Sequence, residues 1–222
     1  MTVLTIEMTF DFTCPWCPIG KRYLHQALAS FTQSHPELCV QIRWRGVQLL
    51  PELPAQGVPF MAFHTQRLGD ETAARAHLEQ VQEAAYRADV QIDLQRIERL
   101  PNTANAHRLM EFAAARAGER QVDRLLERLF ASYFQHGEDL ADRALLLKLA
   151  SSCGLDAAEC EAVLFDDGRP YIARDFVPSD RAVPSFAFDQ KLTVAGAQPP
   201  WLLLAQLNRV LERRSARTVC HA

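Results

Sequence analysis

Leu4, Ile6, Met8 and Phe10 alternate with more polar neighbours, the two-residue period of a strand with one buried face. Asp11, Phe12 and Thr13 make the turn that follows. Ile19, Tyr23, Ala27 and Phe31 then recur at helical spacing, with Leu24 and Leu28 beside them, and predict an amphipathic helix. Alternation returns at Val40, Ile42 and Trp44. The first 47 residues therefore read as strand, helix, strand, a parallel βαβ unit. A loop broken by Pro51, Pro54, Gly57 and Pro59 comes next. From about residue 60 to 176 the pattern is helical almost throughout. Leu125, Leu129, Phe130, Tyr133 and Phe134 form one apolar stripe. Leu145, Leu146 and Leu149 form another, ended by Gly154, and Asp156 is placed to cap the next helix. Strand character resumes at Val183–Phe188 and Leu192–Ala195, which flank Asp189-Gln190-Lys191 as a hairpin. Pro199-Pro200 opens a last helix, Trp201 to about Arg213, where proline suits the first turn. The tail from Ser215 reads as frayed.

Neither outer part is large enough to hold a core by itself. Together, residues 1–58 and 178–222 would build one α/β domain around a sheet of about four strands, with residues 59–177 as an all-helical insertion.

Composition narrows the function. With 222 residues, 48% of them hydrophobic, the chain can bury a core without disulfide staples. A net charge of −3 lacks the electrostatic footprint of a nucleic-acid binder. No apolar run approaches the roughly 20 residues of a membrane span. Met1 to Glu7 shows no basic region, long apolar stretch or small-residue cleavage site, so the expected location is the cytoplasm. Persistent structural disulfides are unusual there, and a close cysteine pair is more often catalytic or metal-binding.

Such a pair is Cys14-Pro15-Trp16-Cys17, at the junction of the first strand and first helix. Pro15 suits the first helical position, which puts Cys14 at the N-cap. A thiolate there can accept hydrogen bonds from helix N–H groups and feels the positive end of the helix dipole. Both effects favour the anion, the form that attacks disulfides. Cys17 lies one turn deeper on the same face, where it can close a somewhat strained and therefore reducible disulfide. Cys14 is expected to be the exposed nucleophile and Cys17 the resolving thiol. Two alternatives are two cysteines that are merely packed close together, and a zinc knuckle. Zinc would need further ligands, and the remaining cysteines and the seven histidines form no second C-x-x-C and no H-x-x-x-H. No metal is therefore expected.

The run Phe10-Asp11-Phe12-Thr13-Cys14-Pro15-Trp16-Cys17, followed by Ile19-Gly20-Lys21, resembles the DsbA-like thioredoxin family, in particular its cytoplasmic FrnE-like branch. The resemblance continues through Pro101-Asn102-Thr103, Ala106-His107-Arg108, Val183-Pro184-Ser185-Phe186 and Gly196-Ala197-Gln198-Pro199-Pro200. It covers nearly the whole chain in order. It implies a thioredoxin-like fold with a helical insertion, a cis bond before Pro184 beside the dithiol, and substrate contacts at Trp16 and at Val183. From the residues alone, Val-Pro could equally be an edge-strand proline. The related 2-hydroxychromene-2-carboxylate isomerases and kappa-class glutathione transferases carry serine at the nucleophile position and lack the second cysteine. Both cysteines here favour dithiol chemistry on a protein or small thiol or disulfide. Periplasmic DsbA has histidine where this chain has Trp16, which speaks against periplasmic oxidative folding.

The other candidates have two readings each. Asn102, His107 and Arg108 fall at a helix start. They either face the cleft, as the family pattern suggests, or Asn102 or Thr103 is the N-cap and His107 a satisfied polar residue. Gly196, Ala197 and Gln198 either bind a carboxylate, such as that of glutathione, or form a plain strand-to-helix turn. Cys153 and Cys160 are a second redox pair or two small buried hydrophobes. No cofactor is required, glutathione is a candidate co-substrate, and a homodimer is a candidate assembly. A glutathione-dependent isomerase or transferase would need Cys14 alone, and a redox-sensing binding module would show little turnover.

Overall fold

The N-terminal alternation becomes a strand at the centre of the molecule's larger sheet: Leu4, Ile6, Met8 and Phe10 are all fully buried in β1 (Val3–Phe10). The computed structural model describes residues 3–165, 167–173 and 182–219. After β1 the described residues form α1 (Trp16–Ser34), β2 (Cys39–Gly46), β3 (Val58–Pro59), α2 (Phe60–Leu68), α3 (Glu71–Arg87), a 3₁₀ turn at Leu94–Arg96 and β4 (Arg99–Leu100). There follow α4 (Ala104–Arg116), α5 (Glu119–Phe134), α6 (Arg143–Ser152), α7 (Ala157–Glu161), β5 (Ser185–Phe188), β6 (Leu192–Ala195) and α8 (Pro200–Val219).

Contacts divide the chain into two units. The first holds residues up to Phe10, Trp16–Arg45 and the segment from Ala182 onward. Its sheet runs β2-β1-β5-β6. The predicted hairpin is present: β5 and β6 are antiparallel, with Ser185 opposite Ala195, and β5 is antiparallel to β1, with Thr9 opposite Ser185. Asp189 and Gln190 turn the hairpin in the left-handed region, at φ 52° and 56°. Asp189 accepts the Thr5 N–H at 3.1 Å and a two-pronged bond from Arg214 at 2.5 and 2.6 Å, which ties the turn to α8. Helix α8 packs on α1, β5 and β6. It continues to Val219, past the point where the sequence pattern suggested fraying, while Cys220 lies outside the described residues. Buried positions on α1 include Cys17, Gly20, Lys21, Leu24, Ala27 and Phe31, one helical stripe.

The second unit holds Asp11–Pro15 and the segment from Gly46. Leu125, Leu129, Phe130, Tyr133 and Phe134 of the first predicted stripe are all buried, and of the second Leu146 and Leu149 are buried while Leu145 is half-buried. Asp156 caps α7 as expected, accepting from Glu159 N–H at 2.9 Å. Asp70 and Asp142 do the same for α3 and α6. Gly154 sits at φ 80°, the left-handed cap its position suggested. The helical stretch is not uniform: β3 and β4 form a short antiparallel pair, Val58 opposite Leu100, and no helix follows α7 among the described residues up to Ala173. The β3–β4 pair was illegible because two residues are too few for a period. The expected domain boundary at 178 lies outside the described residues.

Helices α2 and α3 face each other through His64 and His77, whose ring centroids are 6.5 Å apart. Burial first, then the charges of His77 and Arg67, lowers the His64 pKa. A histidine with a depressed folded pKa is protonated more readily in the unfolded chain. Its neutral form therefore supports the fold above the unfolded value of about 6.5, and that support is lost as pH falls through the folded pKa. The thermal midpoint should fall on acidification below about pH 6.5, and His64→Gln should shrink that fall. An identical acid profile in the variant would refute the assignment to His64.

Candidate active site

Strand β1 ends at Phe10 and α1 begins at Trp16, so the chain must turn within Asp11–Pro15. Phe10 and Phe12 are both fully buried and draw this turn inward. The Cys14 N–H donates to the Asp11 carbonyl at 3.2 Å, which closes it. The helix starts one residue later than the proline suggested, so Cys14 stands two residues before it. Cys14 was expected to be exposed, but only 8% of its surface is accessible; Cys17 has 0%. Cys14 is the more accessible of the two, and both residues are buried. Trp16 is 36% exposed.

In the first unit, one turn beyond Cys17, Gly20 lets another loop approach. A Cβ there would lie 3.0 Å from Pro184 Cγ and 3.1 Å from Phe186 Cζ. The Val183–Pro184 bond is cis. The Pro184 carbonyl accepts the N–H of Gly196 at 2.7 Å, and Gly196 itself needs φ 83°. The cis-proline loop is thus held from both sides, by α1 and by the β6–α8 turn. Lys21, only 2% exposed, lies on the buried stripe of α1 and places its ammonium 5.1 Å from the centroid of Trp44.

In the second unit, Asp11 organises the turn that holds Cys14. Its side chain is 1% exposed. Oδ1 accepts the Thr13 N–H at 3.2 Å, Oδ2 accepts the Leu49 N–H at 2.6 Å, and Nε2 of His107 lies 3.4 Å from Oδ1. His107 is held between the Phe12 ring at 4.9 Å and the Tyr171 ring, stacked at 5.1 Å. Burial first, then the carboxylates of Asp11 and Asp139, pushes the Tyr133 phenol well above its ordinary range, so it stays a neutral neighbour. The sequence pattern marked Asp11 only as a turn residue. An aspartate between an apolar strand and Phe-Thr-Cys, two residues before a backbone N–H it can bond, was the available signal.

A Cβ on Gly46 would collide with Nδ1 of His107. Gly46→Ala should therefore displace the imidazole and cost about 1–3 kcal/mol of stability, the usual range for overpacking. Chemical denaturation measures it, and a midpoint equal to wild type would show that His107 is not held there.

Asn102 is 5% exposed and its amide is committed: it donates to Leu53 C=O at 2.7 Å and accepts from Gln48 at 2.9 Å and Ala104 N–H at 3.0 Å. Thr103 is the N-cap of α4, and Asn102, one residue before it, ties the start of the helix to the 48–53 loop. Arg108 donates to the carbonyls of Arg169 and Pro170. Gln198 spends its side-chain amide on Ala195 C=O at 2.9 Å. Cys153 and Cys160 are buried. Burial first, then Asp156 and Glu159, raises the Cys160 thiol, which disfavours the thiolate a second redox pair needs. Among the described residues, no three histidine, cysteine or acidic side chains cluster to hold a metal.

A cis-proline loop against Gly20 of α1, with a Cys-x-x-Cys at the exit from β1, fits a thioredoxin-fold protein of the general thiol–disulfide oxidoreductase class. The chain belongs to the DSBA-like thioredoxin domain family, whose profile matches residues 5–174. It is similar to the crystal structure of a probable DsbA oxidoreductase, SCO1869 from Streptomyces coelicolor, with 27% identity and a TM-score of 0.80 over 94% of this chain and 90% of that one. The cytosolic disulfide reductase DsbM from Pseudomonas aeruginosa, solved with GSH, shares the fold at 19% identity and a TM-score of 0.57, covering 94% of this chain and 99% of that one. An uncharacterized protein of Bacillus subtilis (strain 168), YwbO, is 24% identical over 159 residues, 72% of this chain and 70% of its own length.

Proposed function

We propose that the protein is a dithiol oxidoreductase of the FrnE-like kind, in which Cys14 is the nucleophile and Cys17 the resolving thiol. The observation that carries this reading is the placement of the pair: Cys14 in the turn closed by Asp11, and Cys17 fully buried on the first turn of α1. Cys14 thiolate attacks one sulfur of a substrate disulfide, forms a mixed disulfide and expels the other sulfur as thiolate. Cys17, after losing its proton to solvent, attacks the Cys14 sulfur and releases the second substrate thiolate. Two electrons pass to the substrate and the enzyme holds the Cys14–Cys17 disulfide, which an external thiol of the glutathione type returns to the dithiol. No cofactor takes part. Trp16, Val183 and Pro184 would flank the mixed disulfide. No described helix is long and apolar enough to cross a membrane, and a cytoplasmic site of action, where reducing thiols are abundant, belongs to the same reading.

The test is insulin reduction by dithiothreitol with catalytic amounts of protein, together with equilibration against glutathione buffers. Acceleration, and a single two-electron transition of the pair, is the expected result. An inert protein whose pair does not titrate would overturn the proposal.

A further inference from the structure

We propose that Lys21 supports the second step of the dithiol cycle: its buried ammonium, carried one helical turn beyond Cys17, keeps the resolving sulfur ionised when it attacks Cys14. The inference rests on the oxidoreductase reading above and assigns it a further, positioning residue.

A lysine on an amphipathic helix ordinarily lays its stem along the apolar surface and leaves its head in water. Full burial of a lysine is rare. Lys21 is buried whole, at 2% exposure. It belongs to the buried stripe of α1 with Cys17, Gly20 and Leu24. Four residues separate it from Cys17, so the two side chains are neighbours, with β-carbons about 5–6 Å apart. Helical side chains lean toward the N-terminus, which carries the stem of Lys21 back over the Cys17 turn. Its ammonium ends 5.1 Å from the centre of the Trp44 ring on β2, whose π face replaces part of the lost water. His25, the next residue in the row, is half-buried, with its ring 6.4 Å from that of Trp44. On the neighbouring strands, Glu7 of β1 accepts from Arg45 of β2 at 3.1 Å. All of these residues lie in the first unit.

The cycle needs a positive charge here. Cys17 is 0% exposed, and apolar burial favours a thiol over its thiolate. Only the thiolate resolves a mixed disulfide. The Cys17 proton leaves to solvent, and the sulfur's electron pair forms the bond to the Cys14 sulfur. The bond between Cys14 and the substrate breaks, and the substrate departs as thiolate. Lys21 gives and takes no proton in this step. An opposite charge one turn away favours the ionised sulfur and so raises the fraction of Cys17 able to attack.

A single turnover of the reduced full-length protein with a capped peptide disulfide reads both steps. Acid quench and peptide mapping follow the mixed disulfide on Cys14 as it forms and decays. Lys21→Met keeps an unbranched chain and removes the charge, which should move the ionisation of Cys17 up by about one to two pH units. At about pH 6 the loss of thiolate outweighs the greater nucleophilicity of each one. Decay of the adduct should then slow by about three- to tenfold, with its formation within about twofold of wild type. The deficit should close as pH rises and be gone by about pH 10, whereas a packing defect persists at every pH. Lys21→Arg keeps the charge and should recover most of the rate at about pH 6. Melting temperatures control for folding, and Lys21→Gln, neutral and polar, replaces Lys21→Met if that protein does not fold. A deficit that is constant with pH, no deficit at low pH, or a Lys21→Arg protein as slow as the neutral variant overturns the inference and leaves the oxidoreductase reading intact. A wild type that forms no mixed disulfide overturns both.

Discussion

Cys17→Ser protein should accumulate as a mixed disulfide, whereas Cys14→Ser protein should be inert. Removing the nucleophile leaves no thiolate to open the substrate, because a serine hydroxyl is not ionised near neutral pH. Loss of turnover by at least about a thousandfold is expected. Removing Cys17 leaves the first attack intact and deletes the second. The Cys14 adduct then waits for an external thiol, so multiple turnover falls while one equivalent of substrate thiol is still released in a burst. Cys17 is fully buried, and a serine hydroxyl there costs about 1–3 kcal/mol if it finds no partner. Cys17→Ala, which buries no polar atom, separates a folding defect from a chemical one. Intact-mass spectrometry after a single addition of a peptide disulfide reads the adduct directly. A Cys17 variant that keeps full multiple turnover would rule out the dithiol cycle. It would favour a glutathione-dependent isomerase or transferase needing Cys14 alone.

How much of this was legible before the structure depends on what each feature requires. The strand before the dithiol, the hairpin after Pro184 and the helical stripe at Leu125–Phe134 were readable because each repeats a period set by one buried face. Cys14 and Cys17 were readable because two cysteines at that spacing serve few chemistries. The roles of Asp11, His107 and Gly46 were not. They arise from a meeting of positions 46 and 107 with the turn at 11, and no local period records a contact across that much chain. Asn102 was readable only as a choice. Its position fits a cap and a ligand equally; the helix takes Thr103 as its N-cap, and Asn102 commits its amide to Leu53, Gln48 and Ala104. The burial of Lys21 on α1 was not legible either. A lysine stem can lie along an apolar stripe, and here its ammonium ends over Trp44.

Substitution of Asp11 should be the most damaging change outside the two cysteines. Its carboxylate is an acceptor for two backbone N–H groups, of Thr13 and Leu49, and for His107 Nε2. Hydrogen bonds to a charged group contribute about 1.5–3 kcal/mol each, and a buried donor left without its acceptor costs about 1–3 kcal/mol. The terms overlap, so Asp11→Ala is expected to lose on the order of 3–5 kcal/mol, a large part of a typical domain stability of about 5–15 kcal/mol. Urea denaturation would show it as a lower midpoint at unchanged slope. Asp11→Asn is the more informative variant, since it keeps the shape and one acceptor oxygen. Its amide nitrogen must then face either the Leu49 N–H or the pair formed by the Thr13 N–H and His107 Nε2, donor against donor. The Asp11 carbonyl that receives the Cys14 N–H belongs to the same turn. Distortion of that turn should therefore slow attack by Cys14, by about tenfold if the misplacement costs about 1.4 kcal/mol of the barrier. Stability and rate should fall together in Asp11→Asn. A variant that is destabilised yet exchanges at the wild-type rate would mean that the turn holds Cys14 in place without this carboxylate.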